Sequence, residues 1–268
     1  MTQASPPAGW AGILWVGWLP FRPRLLWGLL LCCFAGLGLA GETRPPTSPP
    51  PGQAVSNRVH RLYLESRHRW REQTNNAEAA WRFARACFDR ADFATNDLQR
   101  AAIAEEGIAA SRQTIKLQPN SAAGHYYLGL NLGQLAQTKL LGAIKLIEQM
   151  EAAWKRTIEL DEKFDYAGPR RSLGLLYLDA PGWSIGSKTK ARQHLRKAVE
   201  LFPDYPDNRL CLLEAELKWG ETKTVKAQID AVEQVLKAAR TRLTGEEWER
   251  EWQDWNERWQ KIKTKAAP

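Results

Sequence analysis

Residues 173–203 read LGLLYLDAPGWSIGSKTKARQHLRKAVELFP. Small residues (Gly174, Ala191, Ala198) and large ones (Leu173, Tyr177, Leu195) fall at helical spacings on either side of a Pro-Gly turn. The small positions let two antiparallel helices approach closely, and the large ones fill the gap between them. Pro203 stops the second helix, because it has no amide to donate and clashes with the preceding turn. The stretch therefore predicts a helix pair. Three similar helix endings recur along the chain: Ile115-Lys116-Leu117-Gln118-Pro119-Asn120, Ile158-Glu159-Leu160-Asp161-Glu162-Lys163 and Val199-Glu200-Leu201-Phe202-Pro203-Asp204. From Val55 onward apolar residues recur at three and four, Gly and Pro fall at joints, and no alternating strand pattern appears, so the folded part is expected to be all α. A period near forty residues in helical sequence means stacked helix pairs, a solenoid.

The unit built on Leu173, Gly174, Tyr177, Ala191, Leu195, Ala198 and Pro203 resembles the tetratricopeptide repeat (TPR). It exceeds the family's 34-residue spacing by about five residues, in Asp179–Ser187. Leu128, Gly129 and Leu132 open an earlier unit, and Trp81, Ala84 and Phe88 a degenerate first one ending at Pro119. Both carry longer insertions, of roughly nine or ten residues. Arg209, Leu212, Leu213 and Glu216 begin a poor fourth unit closing near Ala238. The resemblance runs from about Ala77 to Ala239 and implies a binding scaffold.

A narrower likeness rests on Tyr126-Tyr127-Leu128-Gly129-Leu130-Asn131-Leu132-Gly133 and on Tyr177–Ser187 followed by Lys190-Ala191-Arg192. These stretches resemble exported bacterial repeat proteins related to the T component of tripartite ATP-independent periplasmic (TRAP) transporters. That resemblance implies a helical-repeat scaffold with a central cavity, associated with a periplasmic solute-binding protein and assisting transport of a small solute.

The first forty residues contain no Asp, Glu or Lys. Arg22 and Arg24 precede the apolar run Leu25–Ala40, which is short for a spanning helix and suits the apolar region of a secretory signal. Gly38 and Ala40 fit the small residues required before a cleavage at Gly41. The long segment before Arg22 leaves a second possibility, an uncleaved membrane anchor using Trp10–Leu19. Cys32 and Cys33 read as apolar filler of the signal. Thr43–Gln53, TRPPTSPPPGQ, reads as a stiff linker within residues 41–54, and the repeat domain is expected over 55–268. The reading places the protein in the periplasm or outside the cell, or tethered to the inner membrane, with an envelope protein as partner.

The chain carries a net charge of +8, and removing Arg22, Arg24, Arg44 and Glu42 leaves +6 on the rest. That surplus is spread over helix faces mixed with acids, which argues against a nucleic-acid interface. Gly182, Gly186, Lys188 and Thr189 miss the spacing of a phosphate-binding loop, and a helix rather than a strand precedes them. Instead the segment reads as a tight turn with Trp183 packed over the helix pair, or lining a ligand site. His60 and His68 lie two helical turns apart, too far to share a metal ion, and His125 and His194 are single. Cys87 and Cys211 read as buried free thiols. No triad, paired-carboxylate or metal spacing is present, so no catalytic residue and no cofactor is expected.

Solenoids bind on the face lined by the first helix of each pair. Registering the repeats puts Arg82, Asp89, Asn131, Gln134, Arg171 and Asp179 there. Tyr126 and Tyr127 are expected to split between core and rim. At the C-terminus, Thr244-Gly245-Glu246-Glu247 reads as a capping box. Trp248, Trp252, Trp255 and Trp259 then line one helical stripe. This is a capping helix laid on the last repeat, or an interface through which copies of the chain oligomerise.

Overall fold

The computed structural model describes residues 51–139 and 142–267. The expected signal or anchor, and residues 41–50 of the linker, lie outside the described residues. Eleven α-helices and one 3₁₀ turn are described, with no strand among the described residues: α1 Pro51–Glu72, α2 Ala77–Ala91, α3 Asp97–Leu117, α4 Ala122–Ala136, α5 Ala143–Asp161, α6 Phe164–Asp179, α7 Lys188–Leu201, α8 Pro206–Lys218, α9 Thr222–Lys226, α10 Ile229–Arg242, the 3₁₀ turn Glu246–Trp248 and α11 Glu249–Ala266. Helix α1 begins four residues before the expected boundary at Val55, within the segment read as linker. None of the described helices is long and apolar enough to cross a membrane.

Local sequence sets most helix starts. The side chain of Asn76 accepts from the amides of Glu78 and Ala79, that of Asn96 from Gln99, and the hydroxyls of Ser121 and Ser187 from Gly124 and Lys190. Each satisfies a first-turn amide that has no partner within the helix. Pro206 opens α8 at a position where its missing N–H costs nothing. The capping box expected at Thr244–Glu247 does not form. Gly245 adopts φ +98, the chain turns through the 3₁₀ segment, and α11 starts without a side-chain cap.

Helices α2–α3, α4–α5 and α6–α7 form three packed pairs, and α8 with the shortened α9 and α10 makes the fourth. Helix α1 packs on α2, where Phe83 stacks against Trp70 at 4.8 Å and meets Tyr63 at 5.7 Å. In the third pair Leu173, Ala191, Leu195 and Ala198 are fully buried. A Cβ on Gly174 would fall 2.6 Å from Leu195 Cγ, so this contact requires glycine. Gly129 plays the same part in the second pair, where a Cβ would meet the Trp154 indole. The extra residues of the first two units lengthen their second helices: α3 has 21 residues and α5 has 19, against 14 in α7.

At a kink in the first turn of α6, Asp165, Tyr166 and Ala167 adopt φ of 51, 54 and 60, a left-handed turn of three non-glycine residues. Several contacts hold it: the Tyr126 hydroxyl donates to Asp165 at 2.8 Å, the Tyr166 ring stacks on Tyr205 at 4.3 Å, and the Tyr166 carbonyl accepts from Asn208 at 3.1 Å. The first helices α2, α4, α6 and α8 neighbour one another in order and form the inner face.

Candidate functional site

The inner face is occupied by the chain's own α11. At one end Arg250 donates to Asp92 and faces Asp89 at 3.8 Å, both on the α2 side, and its guanidinium lies over the Phe93 ring. At the other end Arg258 donates to Asp207 at 2.6 Å and to both oxygens of Glu214 at 2.9 Å, on α8. Between them Trp252 and Trp255, and beyond Arg258 Trp259 and Ile262, are buried with Tyr205, Leu210, Leu213 and Val232. Trp255 meets Tyr205 edge-on at 5.6 Å and Trp248 meets Tyr166 at 6.3 Å. Helix α11 with its entry turn thus touches the first, third and fourth units at once.

Beneath it runs a buried polar network. Asp207 bridges Arg258 and Arg171, the latter at 2.8 Å, and Arg171 also donates to Asn208 at 2.7 Å and faces Asp165 at 3.8 Å. Burial alone would lower the Arg171 guanidinium pKa, but the surrounding Asp207, Tyr126, Tyr205 and Asp165 outweigh it and hold it above its usual range. Burial pushes the Asp89 carboxyl up to about 6 against the pull of Arg85 and Arg250. Burial likewise pushes Glu251, on α11, up to about 8 against a hydrogen bond to its backbone and the pull of Arg250.

The expected binding residues divide by exposure. All six polar candidates lie on first helices, but Asn131, Gln134 and Arg171 are buried. Asn131 donates to the carbonyls of Ala84 and Tyr127, joining α2 to α4, and Gln134 donates to Asp92 while accepting from Arg100. These three hold the units together and cannot meet a free ligand. Asp89 is drawn under α11, whereas Arg82 pairs with Glu78 and covers the Trp81 ring at the rim. Asp179, at the end of α6, pairs with Lys218 of α8 at 2.6 Å. Tyr126 and Tyr127 are both buried, not split between core and rim, because their rings pack edge-on at 5.3 Å with Phe164 beside them.

Two further expectations are corrected. Trp183 does not pack over the helix pair: the Pro181 carbonyl accepts from the amides of Ser184 and Gly186, and this tight turn leaves the indole 76% exposed. Trp248, Trp252, Trp255 and Trp259 are at most 7% exposed. They fill the C-terminal core, so the stripe offers no surface to a second copy. Cys87 and Cys211 are buried free thiols whose pKa burial raises.

Sequence reasoning missed Arg85, Asp92, Asp165, Asp207, Arg250, Glu251 and Arg258. Two signals for them were present: Arg82, Arg85, Asp89 and Asp92 recur at three, four and three along α2 and its C-cap, and Arg250 and Arg258 lie within the tryptophan stripe, on either side of Trp252 and Trp255.

The inner face stays open beyond the start of α11. A cavity of about 420 Å³ lies there, lined by Arg58, Glu65 and Arg69 of α1, Trp81, Arg82, Arg85 and Asp89 of α2, and Glu247 of the 3₁₀ turn. Among the described residues no group of three His, Cys, Asp or Glu side chains is placed to hold a metal ion.

The family model described as regulator of microtubule dynamics protein 1-3 matches residues 53–166, from α1 into the start of α6. None of the curated proteins matches the chain. Among solved structures, TTC0263, a thermophilic TPR protein of Thermus thermophilus, is similar at 18% identity with a TM-score of 0.53, over 68% of this chain and 86% of that one. With its helix pairs, the small-and-large packing at Gly174 and Leu195, and this structural likeness, the chain has the tetratricopeptide-repeat fold.

Proposed function

We propose that the protein is an exported, non-catalytic scaffold that holds a partner protein at the open end of its inner face. The observation that carries this reading is the cavity between α1 and α2. Its lining interleaves four arginines with three acids around the Trp81 ring, a mixture suited to a polypeptide's varied side chains. The non-catalytic reading is supported by the two thiols, both buried with raised pKa, a poor setting for a nucleophile, and by Glu251, which is buried on α11 and does not line the cavity. The export reading rests on the basic and apolar pattern of residues 22–40. In its narrower form the partner is a periplasmic solute-binding protein, as the loop Ala180-Pro181-Gly182-Trp183 implies by resemblance, and the exposed Trp183 is then a contact.

Site-specific photo-crosslinking in cells tests the scaffold reading. A photoreactive residue at Arg82 is expected to give one discrete adduct, and one at Lys265 on α11 none. Equal or absent labelling at both sites would contradict it. A periplasm-dependent reporter fused after Ala54 tests export, and an inactive fusion would overturn it.

A further inference from the structure

Arg85 lines the cavity between α1 and α2 with its hydrogen-bonding capacity unused. Its side chain is only 15% exposed, and the nearest acid, Asp89, faces it at 3.9 Å, beyond hydrogen-bond reach. The guanidinium makes no hydrogen bond among the described residues, although side chains so far from water are ordinarily bonded. Burial alone would lower its pKa, but Tyr127, Asp89 and Asp165 outweigh it and hold the group above its usual range. A charged fork of donors is therefore presented to the cavity.

Two more guanidiniums line the same space. Arg82 is held in place from behind: Nε and Nη2 donate to Glu78 at 2.9 and 2.7 Å, and its guanidinium carbon lies 5.3 Å from the Trp81 ring centre, which leaves Nη1 open. The side chain of Arg69, on α1, makes no ion pair or hydrogen bond among the described residues. Two of the three lining acids already face cations, Glu65 facing Arg61 at 3.8 Å and Asp89 facing both Arg85 and Arg250. Leu62, 40% exposed, and Ala86 supply apolar surface beside the arginines. Four arginines against three acids leave a surplus of one positive charge in the lining. That surplus matches a single carboxylate, whereas a phosphate dianion or a run of acids would exceed it.

We propose that this cavity is a socket for one acidic side chain, an aspartate or glutamate flanked by apolar residues, of the partner protein. Arg85 receives the carboxylate in its planar fork, a geometry that arginine matches and lysine does not. Arg69 and Arg82 complete the cationic wall, and the apolar neighbours of the acid rest on Leu62 and Ala86. This rests on the scaffold reading above and names what the scaffold recognises.

The test is a titration of the full, ¹⁵N-labelled chain, with the arginine Nε–H signals followed by nuclear magnetic resonance. The probe is acetyl-Leu-Glu-Leu amide, whose only charge is the side-chain carboxylate. Its glutamine analogue and free acetate are the comparison ligands. The glutamate peptide is expected to shift the Arg85 and Arg69 signals saturably and to leave that of Arg209, on α8, unmoved. Arg85→Lys, which keeps the charge and loses the fork, is expected to weaken binding about five-fold or more. Should that variant fail to fold by circular dichroism, Arg69→Ala carries the test, since this exposed side chain holds nothing else in place, and a similar loss is expected. Equal binding of the glutamine peptide, or no movement of Arg85, refutes the socket. Acetate binding as tightly as the peptide overturns it in favour of a site for small free acids. The scaffold reading fails separately, because a discrete crosslink at Arg82 reports a partner in the cavity whatever chemistry holds it.

Discussion

Asp207 holds two guanidinium groups at once, Arg171 at 2.8 Å and Arg258 at 2.6 Å, and is 1% exposed. Removing one partner of a buried ionic network leaves uncompensated charge, at a typical cost of about 3–5 kcal/mol. Asp207→Ala is expected to lose that much in urea unfolding, and a loss below about 1 kcal/mol would contradict the network. Glu251 makes an opposite prediction. Its carboxyl is raised from 4.5 to about 8, so the folded state keeps the proton that the unfolded chain gives up. The stability this confers is fully present below pH 4.5, declines as pH rises, and is gone above pH 8. The groups around the carboxyl are Arg250 on its own helix and Arg85 and Asp89 on α2. Glu251→Gln removes the decline and is expected to be more stable than the wild type at pH 8.5 by about 2–5 kcal/mol, at about 1.4 kcal/mol for each tenfold change in acidity. Equal pH profiles for the two chains would contradict the burial of this group.

At the scale of helix pairs, Gly174 sets how closely α6 approaches α7. Gly174→Ala puts a methyl 2.6 Å from Leu195 Cγ and is expected to cost about 1–3 kcal/mol through forced separation, read as a lowered melting temperature. An unchanged melting temperature would mean the pair is looser than described. This contact was legible in the sequence because the small and large residues of one pair lie within a single repeat and follow helical spacing. The left-handed turn at Asp165–Ala167 was not legible. L-residues avoid that region at roughly 1–2 kcal/mol each, and it is held by Tyr126 and Tyr205, each 39 residues away from its partner in the turn. Trp183 shows a smaller limit of the same kind: Pro181-Gly182 announced the turn, but not the direction in which the indole leaves it.

Over the whole molecule, α11 departs from the neighbour-only contacts of an ordinary solenoid. It joins α2 to α8, and the pairing of Arg250 with Asp92 spans 158 residues. The tryptophan spacing made a capping helix legible. The seat of that helix was not, since nothing local says which acids two distant arginines will meet; for that reason Asp89 and Arg171 were assigned to the correct face as groups open to a ligand. With its ends joined, the chain is expected to unfold in one transition followed alike by tryptophan fluorescence and far-ultraviolet dichroism, whereas separate transitions would mean α11 fails to couple the units. The most direct test of the closure is a double-mutant cycle of Asp92→Ala and Arg250→Ala, read by urea unfolding. The structure predicts a coupling energy of about 1–3 kcal/mol between the two positions; additivity within about 0.5 kcal/mol would contradict the seating of α11 across the inner face.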